Sequence, residues 1–380
     1  MSGQELTTFF IMPFAAFFIV VVAIPFLRRW AIDSGFVDQP GGRKQHEEPV
    51  PPIGGVVVFP VYMIVGLFAG MALEAYWSLF WALILLLSVG VMDDRYHINP
   101  WVKFISQFVA AGLIVVLGDA RIDNLGDLFG YGTVWIGAIS IIFCAVATVL
   151  LINAINLMDG LDGLAGGKSV VVLLWFMVVA ATAGDIQALL GLTIMIGALA
   201  GFLFYNMRHP LQSRASVFLG DAGSMCLGLV VSWFALKMSA SPWISLAPIT
   251  VAWILGLPIF DACAQFYRRV REGRHPFSPD RGHFHHHFMN AGFSVQRATV
   301  TIMLIGVVMG GVGVLGVLVG VPEYMLAALW VALLFTHIAL SYKPERYVTI
   351  IAKLSGAKRK TSHGVLEKSA EMEKAKRGSV

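Results

Sequence analysis

Apolar positions in this chain neither alternate nor form the narrow stripe of a surface helix. They run in long blocks separated by short polar stretches. A segment needs about 20 mainly apolar residues to cross a bilayer. Eleven blocks approach that length: 8–27, 53–73, 76–92, 101–118, 134–152, 168–184, 186–206, 222–238, 243–266, 298–320 and 323–342. In lipid every backbone polar group must be paired, so such blocks predict helices. Short breaks at Gly184-Asp185 and Val321-Pro322-Glu323 divide two pairs of blocks and predict tight helical hairpins. The first block is followed by Arg28-Arg29, and Met1 to Leu6 carries no Lys or Arg. That order predicts a retained first span and not a cleaved leader. The expected fold is an all-α polytopic integral membrane protein of about 11 transmembrane helices.

Composition strengthens this expectation. Hydrophobic residues make up 57% of the 380 and charged residues 13%, against about 25% charged in soluble domains, and the mean hydropathy is +0.76. So much apolar surface does not fit one aqueous core, which excludes a soluble enzyme, a disordered chain, a collagen and a disulfide scaffold. The three cysteines, Cys144, Cys226 and Cys263, lie in apolar runs and read as packing residues.

The placement of charge sets orientation. The loops 28–52, 93–100, 153–167, 207–221 and 267–297, the tail 343–380, and Lys103 and Lys168 at the adjoining span starts hold 25 of the 27 Lys and Arg. Only Arg121 and Lys237 fall elsewhere. The positive-inside rule makes these segments cytoplasmic, with the N-terminus periplasmic and the C-terminus cytoplasmic. One transmembrane domain is expected over 1–342 and a basic cytoplasmic tail over 343–380. The tail fits a solvated topology signal or a contact with anionic lipid.

Acidic and amide residues are costly at membrane boundaries unless they serve a purpose. Asp93-Asp94 ends the third block, with Lys103 and Gln107 one turn apart at the start of the fourth. Adjacent carboxylates call for a cation or a shared proton, and a lysine can hold a phosphate as a point charge. Asn153, Asn156, Asp159 and Asp162 follow the fifth block, among glycines that allow close backbone approach. Their spacing lacks the alternating acids and terminal glutamate of a calcium loop. Asp221 opens the eighth block behind Phe218, as a helix cap or as an oxygen ligand for a hard cation. Arg281, His283, His285, His286 and His287 crowd the longest loop; without an HExxH partner they read as phosphate or sugar donors ahead of a zinc site. The first loop combines Arg43, Lys44 and His46 with a proline–glycine frame, which suits an anion. Every one of these groups falls on the face that Lys and Arg assign to the cytoplasm, so one polar site assembled from several loops is expected.

Taken together, the segments RKxHxxPxPxxGG, MDD, NAxNLMDGLDGLAGG, FLGDAGS and DRGHFHHH, in this order over roughly residues 10–340, resemble the polyprenyl-phosphate N-acetylhexosamine-1-phosphate transferases, glycosyltransferase family 4. The first and last motifs resemble its WecA/TagO-like branch. The resemblance implies that a UDP-N-acetylhexosamine, UDP-GlcNAc by default, gives sugar 1-phosphate to undecaprenyl phosphate at the cytoplasmic face of a bacterial inner membrane. UMP would be released, as a first membrane step in making a cell-surface polysaccharide. It implies magnesium as cofactor, with manganese as a substitute. Asp221 and Asn156 would hold the metal. Asp93 would deprotonate the lipid phosphate, or attack as a nucleophile, and Asp94 would orient it. Lys103 would contact phosphate, and Asp159 would support the metal and nucleotide. Asp162 and Phe218 would meet the uracil, and Asn206 the nucleotide. Arg281, His283, His285 and His286 would contact sugar or phosphate, and Arg43, Lys44 and His46 phosphate or lipid headgroup. Membrane lipids are implied partners, a homodimer is allowed, and no nucleic-acid partner is expected. The competing readings are a transporter or ion pathway, which would place its carboxylates near the midplane, and a zinc intramembrane hydrolase.

Overall fold

The computed structural model describes residues 3–38, 49–240, 247–275 and 282–356, with side chains from residue 9 onward. All regular structure among them is helical: α1 Gly3–Asp33, α2 Gly54–Phe68, α3 Leu73–Tyr96, α4 Pro100–Gly112, α5 Ser140–Met158, α6 Leu164–Ala183, α7 Ile186–Asn206, α8 Gly220–Ala240, α9 Pro248–Ile254, α10 Gly256–Arg271, α11 Phe284–Asn290, α12 Val295–Leu318, α13 Glu323–Ser341 and α14 Pro344–Ser355. Where it is described, each of the eleven apolar blocks is mostly helical. Among the described residues nine helical segments are long and apolar enough to cross a membrane. At 15 residues, α2 is shorter than a straight span.

Two features differ from the expectation. The block 243–266 is not one straight helix: it breaks at Leu255, where α9 and α10 meet at 75°. Pro258 lies in the first turn of α10, where a missing N–H is tolerated and a continuous helix is not. The tail, read as solvated or lipid-bound, instead begins with α14, whose Tyr347, Val348 and Ile351 are buried.

The hairpin at Gly184-Asp185 forms as the break implies. Gly184 takes the left-handed conformation, φ +68°, and the Asp185 carboxylate accepts from Ala188 N at 2.9 Å. At that end of the bundle Tyr76 Oη donates to Gln187 O, 2.8 Å, which joins α3 to α7.

Helix α8 is the hub of the first core. It is buried along almost its whole length and packs against α2, α3 and α5. Gly55 and Gly223 make this possible: a Cβ on Gly55 would lie 2.3 Å from Gly223 Cα. The second core joins α9–α14, with Phe260, Phe284, Phe288, Ile302 and Tyr347 in contact. The site lies where these two cores meet.

Candidate active site

The end of α3 meets the start of α8. Gly220, at φ +77°, turns the chain so that the first N–H groups of α8 face Asp94. The Asp94 carboxylate accepts from Asp221 N at 2.9 Å and Ala222 N at 3.2 Å. Helix starts leave such donors unpaired, and a negative group is favoured there. The cap of α8 therefore comes from α3, which releases the Asp221 side chain into the site. Its Oδ2 accepts from Lys103 Nζ at 2.7 Å and its Oδ1 from Asn156 Nδ2 at 2.8 Å. Lys103 also donates to Asp93 Oδ2 at 2.7 Å. One ammonium thus bridges carboxylates from two motifs. Asn156 spends its second amide hydrogen on Ser224 Oγ, 2.8 Å, and so keeps its carbonyl oxygen as an acceptor. Behind them Asn153 Nδ2 donates to Gln107 Oε1, 2.6 Å, which braces α5 on α4.

Asp159 closes α5, and its carboxylate accepts no hydrogen bond from the described residues. Burial, then the charges of Asp221, Asp94 and Asp162, raise its pKa to about 7. Asp162 is paired: it accepts from Arg208 Nε at 2.6 Å and from Ala215 N at 3.3 Å. Asn206 accepts from Gly163 N and donates to Val217 O, both at 2.9 Å. The Asp159–Asp162 turn is thereby fastened to the loop before α8, and Asn206 acts at this point as a tie between turn and loop.

The histidines divide. His285 and His286 line the cavity. His283 does not: it is 5% exposed, with Nδ1 3.1 Å from Asp261 Oδ2 and Nε2 3.3 Å from Arg269 Nη2. Both ring nitrogens of His283 face side chains of α10 and not the cavity. Burial and the neighbouring His286 lower the pKa of His285 to about 3, so it is neutral at pH 7. Gly160 makes room for this ring; a Cβ there would come within 2.5 Å of it.

These groups surround one cavity of about 690 Å³. Asp93, Asp94, Asn156, Asp159 and Asp221 form one wall, His285 and His286 another, and Asp162, Arg208, Arg214 and Phe218 close it. Phe218 is held in place by the first loop: Phe218 N donates to Pro51 O, and Gly54 N to Phe218 O, both at 2.9 Å. Pro51 and Gly54 of the proline–glycine frame thus support Phe218. Arg43, Lys44, His46 and Arg281 lie outside the described residues. Sequence reasoning missed Arg208 and Arg214, which the charge of the 207–217 loop signals, and Asp261, a lone carboxylate in an apolar run.

The donor set suits a divalent cation delivered with phosphates. Among the described residues no three His, Cys, Asp or Glu side chains converge into a complete metal cage. Magnesium asks for one or two carboxylates plus substrate oxygens. Asp221 keeps lone-pair directions beyond its two hydrogen bonds, Asn156 keeps its carbonyl oxygen, and Asp159 has no partner cation among the described residues.

The family model described as "Glycosyl transferase family 4" matches residues 76–239, which span α3 to α8 and carry the whole carboxylate wall. The undecaprenyl-phosphate alpha-N-acetylglucosaminyl 1-phosphate transferase of Salmonella typhi is 33% identical over 359 residues, 90% of this chain and 95% of the relative. The protein of the same name from Escherichia coli K12 is 32% identical over 338 residues, 85% and 89% of the two chains. That of Haemophilus influenzae is 31% identical over 323 residues, 85% and 90%. Similarity that runs through both cores and both cavity walls makes this chain a member of glycosyl transferase family 4.

Proposed function

We propose that the chain transfers N-acetylglucosamine 1-phosphate from UDP-GlcNAc to undecaprenyl phosphate, with release of UMP, at the cytoplasmic face of a bacterial inner membrane. The observation that carries this reading is the Lys103 ammonium between Asp93 and Asp221, two carboxylates that line a cavity at one end of an apolar bundle. A membrane-bound phosphate and a water-soluble nucleotide can meet at such a boundary. The names of the relatives supply the acceptor and the sugar, and the distribution of Lys and Arg supplies the face.

In the reaction an oxygen of the lipid phosphate bonds to the sugar-bearing phosphorus. The bridging P–O bond breaks and its electron pair leaves with UMP. Phosphoryl transfer of this kind depends chiefly on positioning and charge stabilisation. Asp93 takes the proton of the lipid phosphate on its carboxylate. Lys103 keeps Asp93 and Asp221 in register and offers positive charge to the phosphates. Asp94 fixes the start of α8 and with it Asp221. Asp221 and Asn156 would hold magnesium, or manganese in its place, with Asp159 beside them. When bound, the cation supplies charge neutralisation for the diphosphate. Asp162 hydrogen-bonds the uracil and Phe218 stacks on it, while His285, as a neutral imidazole, and His286 donate to the sugar phosphate.

The test is UMP release by purified protein in detergent, given undecaprenyl phosphate and a panel of UDP-sugars with and without magnesium. Release that needs lipid and magnesium and is fastest with UDP-GlcNAc is expected. Folded protein that releases no UMP from any N-acetylated donor would overturn the reading and favour an ion pathway through the carboxylates.

A further inference from the structure

Helix α11 presents two different faces. Phe284, His287, Phe288 and Ala291 fall at i, i+3, i+4 and i+7, which is one stripe of a helix, and all four are buried. His285 and His286 fall between them, on the cavity side. The stripe rests on α14. The ring of His287 lies 4.8 Å from that of Tyr347, and the ring of Phe284 lies 5.9 Å from it. Tyr347 is fixed in turn from α13, where His337 Nδ1 and Tyr347 Oη are 3.0 Å apart. Val348 and Ile351 of α14 complete this small core. A seven-residue helix makes too few backbone bonds to hold its own orientation. Its direction depends on what it packs against.

We propose that Tyr347, on the C-terminal helix, is a positioning residue for the transfer. Through Phe284 and His287 it sets the rotation of α11, and so the direction in which His285 and His286 meet the donor substrate. The kinetic part rests on the function proposed above; the structural part does not. A segment that reads as a basic tail thereby belongs to the catalytic apparatus, although it lies outside the region matched by the family model.

The experiment compares Tyr347→Ala and Tyr347→Phe in the full-length purified chain. Tyr347→Ala removes the ring. It is expected to raise KM for UDP-GlcNAc about tenfold, to change kcat less than about threefold, and to leave KM for undecaprenyl phosphate unchanged. Tyr347→Phe keeps the ring and loses only the bond to His337, and is expected to restore the donor KM to near the parent value. A second readout does not depend on turnover. Carbethoxylation of His285 by diethyl pyrocarbonate, mapped by mass spectrometry, is expected to speed up about fivefold in Tyr347→Ala and not in Tyr347→Phe, with His209 unchanged as reference. Parent protein without UMP release would defeat the functional reading, and the His285 labelling would then decide the positioning claim alone. Unchanged labelling of His285 in Tyr347→Ala would overturn the proposal. So would equal losses toward both substrates with His209 labelled faster, which marks general unfolding.

Discussion

The two walls of the cavity are held in place by different physics. On the carboxylate wall, Asp93, Asp94, Asp221, Lys103 and Asn156 orient one another through hydrogen bonds of 2.7–3.2 Å from the ends of four long helices. On the histidine wall, His285 and His286 sit on the seven-residue helix α11. They are aimed by an apolar stripe beneath them and by the anchors His283 on Asp261 and His287 on Tyr347. Charged groups at a membrane boundary are costly unless paired, so pairing and positioning coincide on the first wall. The His285 imidazole is neutral and costs less to bury, so packing carries more of the second. The carboxylate wall should therefore fail abruptly when one member is removed, and the histidine wall by degrees.

The largest effect is expected from Asp221→Ala. It removes the carboxylate shared by Lys103 and Asn156 while Asp94 still caps α8, and UMP release should fall about a thousandfold with the protein still folded in the membrane. Near-normal turnover of the purified variant would remove Asp221 from the site. Lys103→Met comes next, with a loss of about a hundredfold and a lower Tm, since Asp93 and Asp221 would face each other without a cation. Steady-state rates and thermal unfolding of one preparation would check both. On the other wall, His286→Ala should raise the donor KM about tenfold with Tm unchanged, whereas His283→Ala should lower Tm because Asp261 and Arg269 lose a buried partner. If the two variants behave alike, the division of the histidines is wrong.

The smallest effect sharpens the comparison through pH. The pKa of Asp159 is about 7 in the fold, against an ordinary value near ~4. Between these values the folded state holds more protons than the unfolded one. Its stabilising effect is full at low pH and is lost as pH rises through 7. In metal-free buffer Asp159→Asn should leave Tm near pH 4 unchanged, raise it at pH 8 and flatten the profile. An unchanged profile would show that burial and the neighbouring charges do not raise the pKa of Asp159.

The carboxylate wall was legible in the sequence because its members stand at block ends, where a charge has no place in an ordinary span. Asp93-Asp94, Asn156, Asp159 and Asp221 all reach the cavity. The helical blocks were legible for the same reason, since length and apolarity leave few alternatives in lipid. What escaped depends on contacts between distant segments. The bend at Leu255 has only Gly256 and Pro258 as local signals inside an apolar run. Asp261 gains its meaning from His283, 22 residues away. Tyr347, Val348 and Ile351 lie in a tail whose basic residues dominate its composition, so the small apolar face of α14 is hidden in the average. That Asp94 caps α8 could not be read from spacing, because donor and acceptor belong to different motifs.

The most direct test of the account is the fate of the lipid. Proteoliposomes containing the parent chain, undecaprenyl phosphate, UDP-GlcNAc and magnesium would be analysed by mass spectrometry for lipid and nucleotide together. The account predicts undecaprenyl-diphosphate-N-acetylglucosamine and UMP in equal amounts, with neither formed by Asp221→Ala. UMP formed while the lipid stays unmodified would mean hydrolysis in place of transfer, and would contradict the claim that the cavity joins a membrane phosphate to a nucleotide sugar.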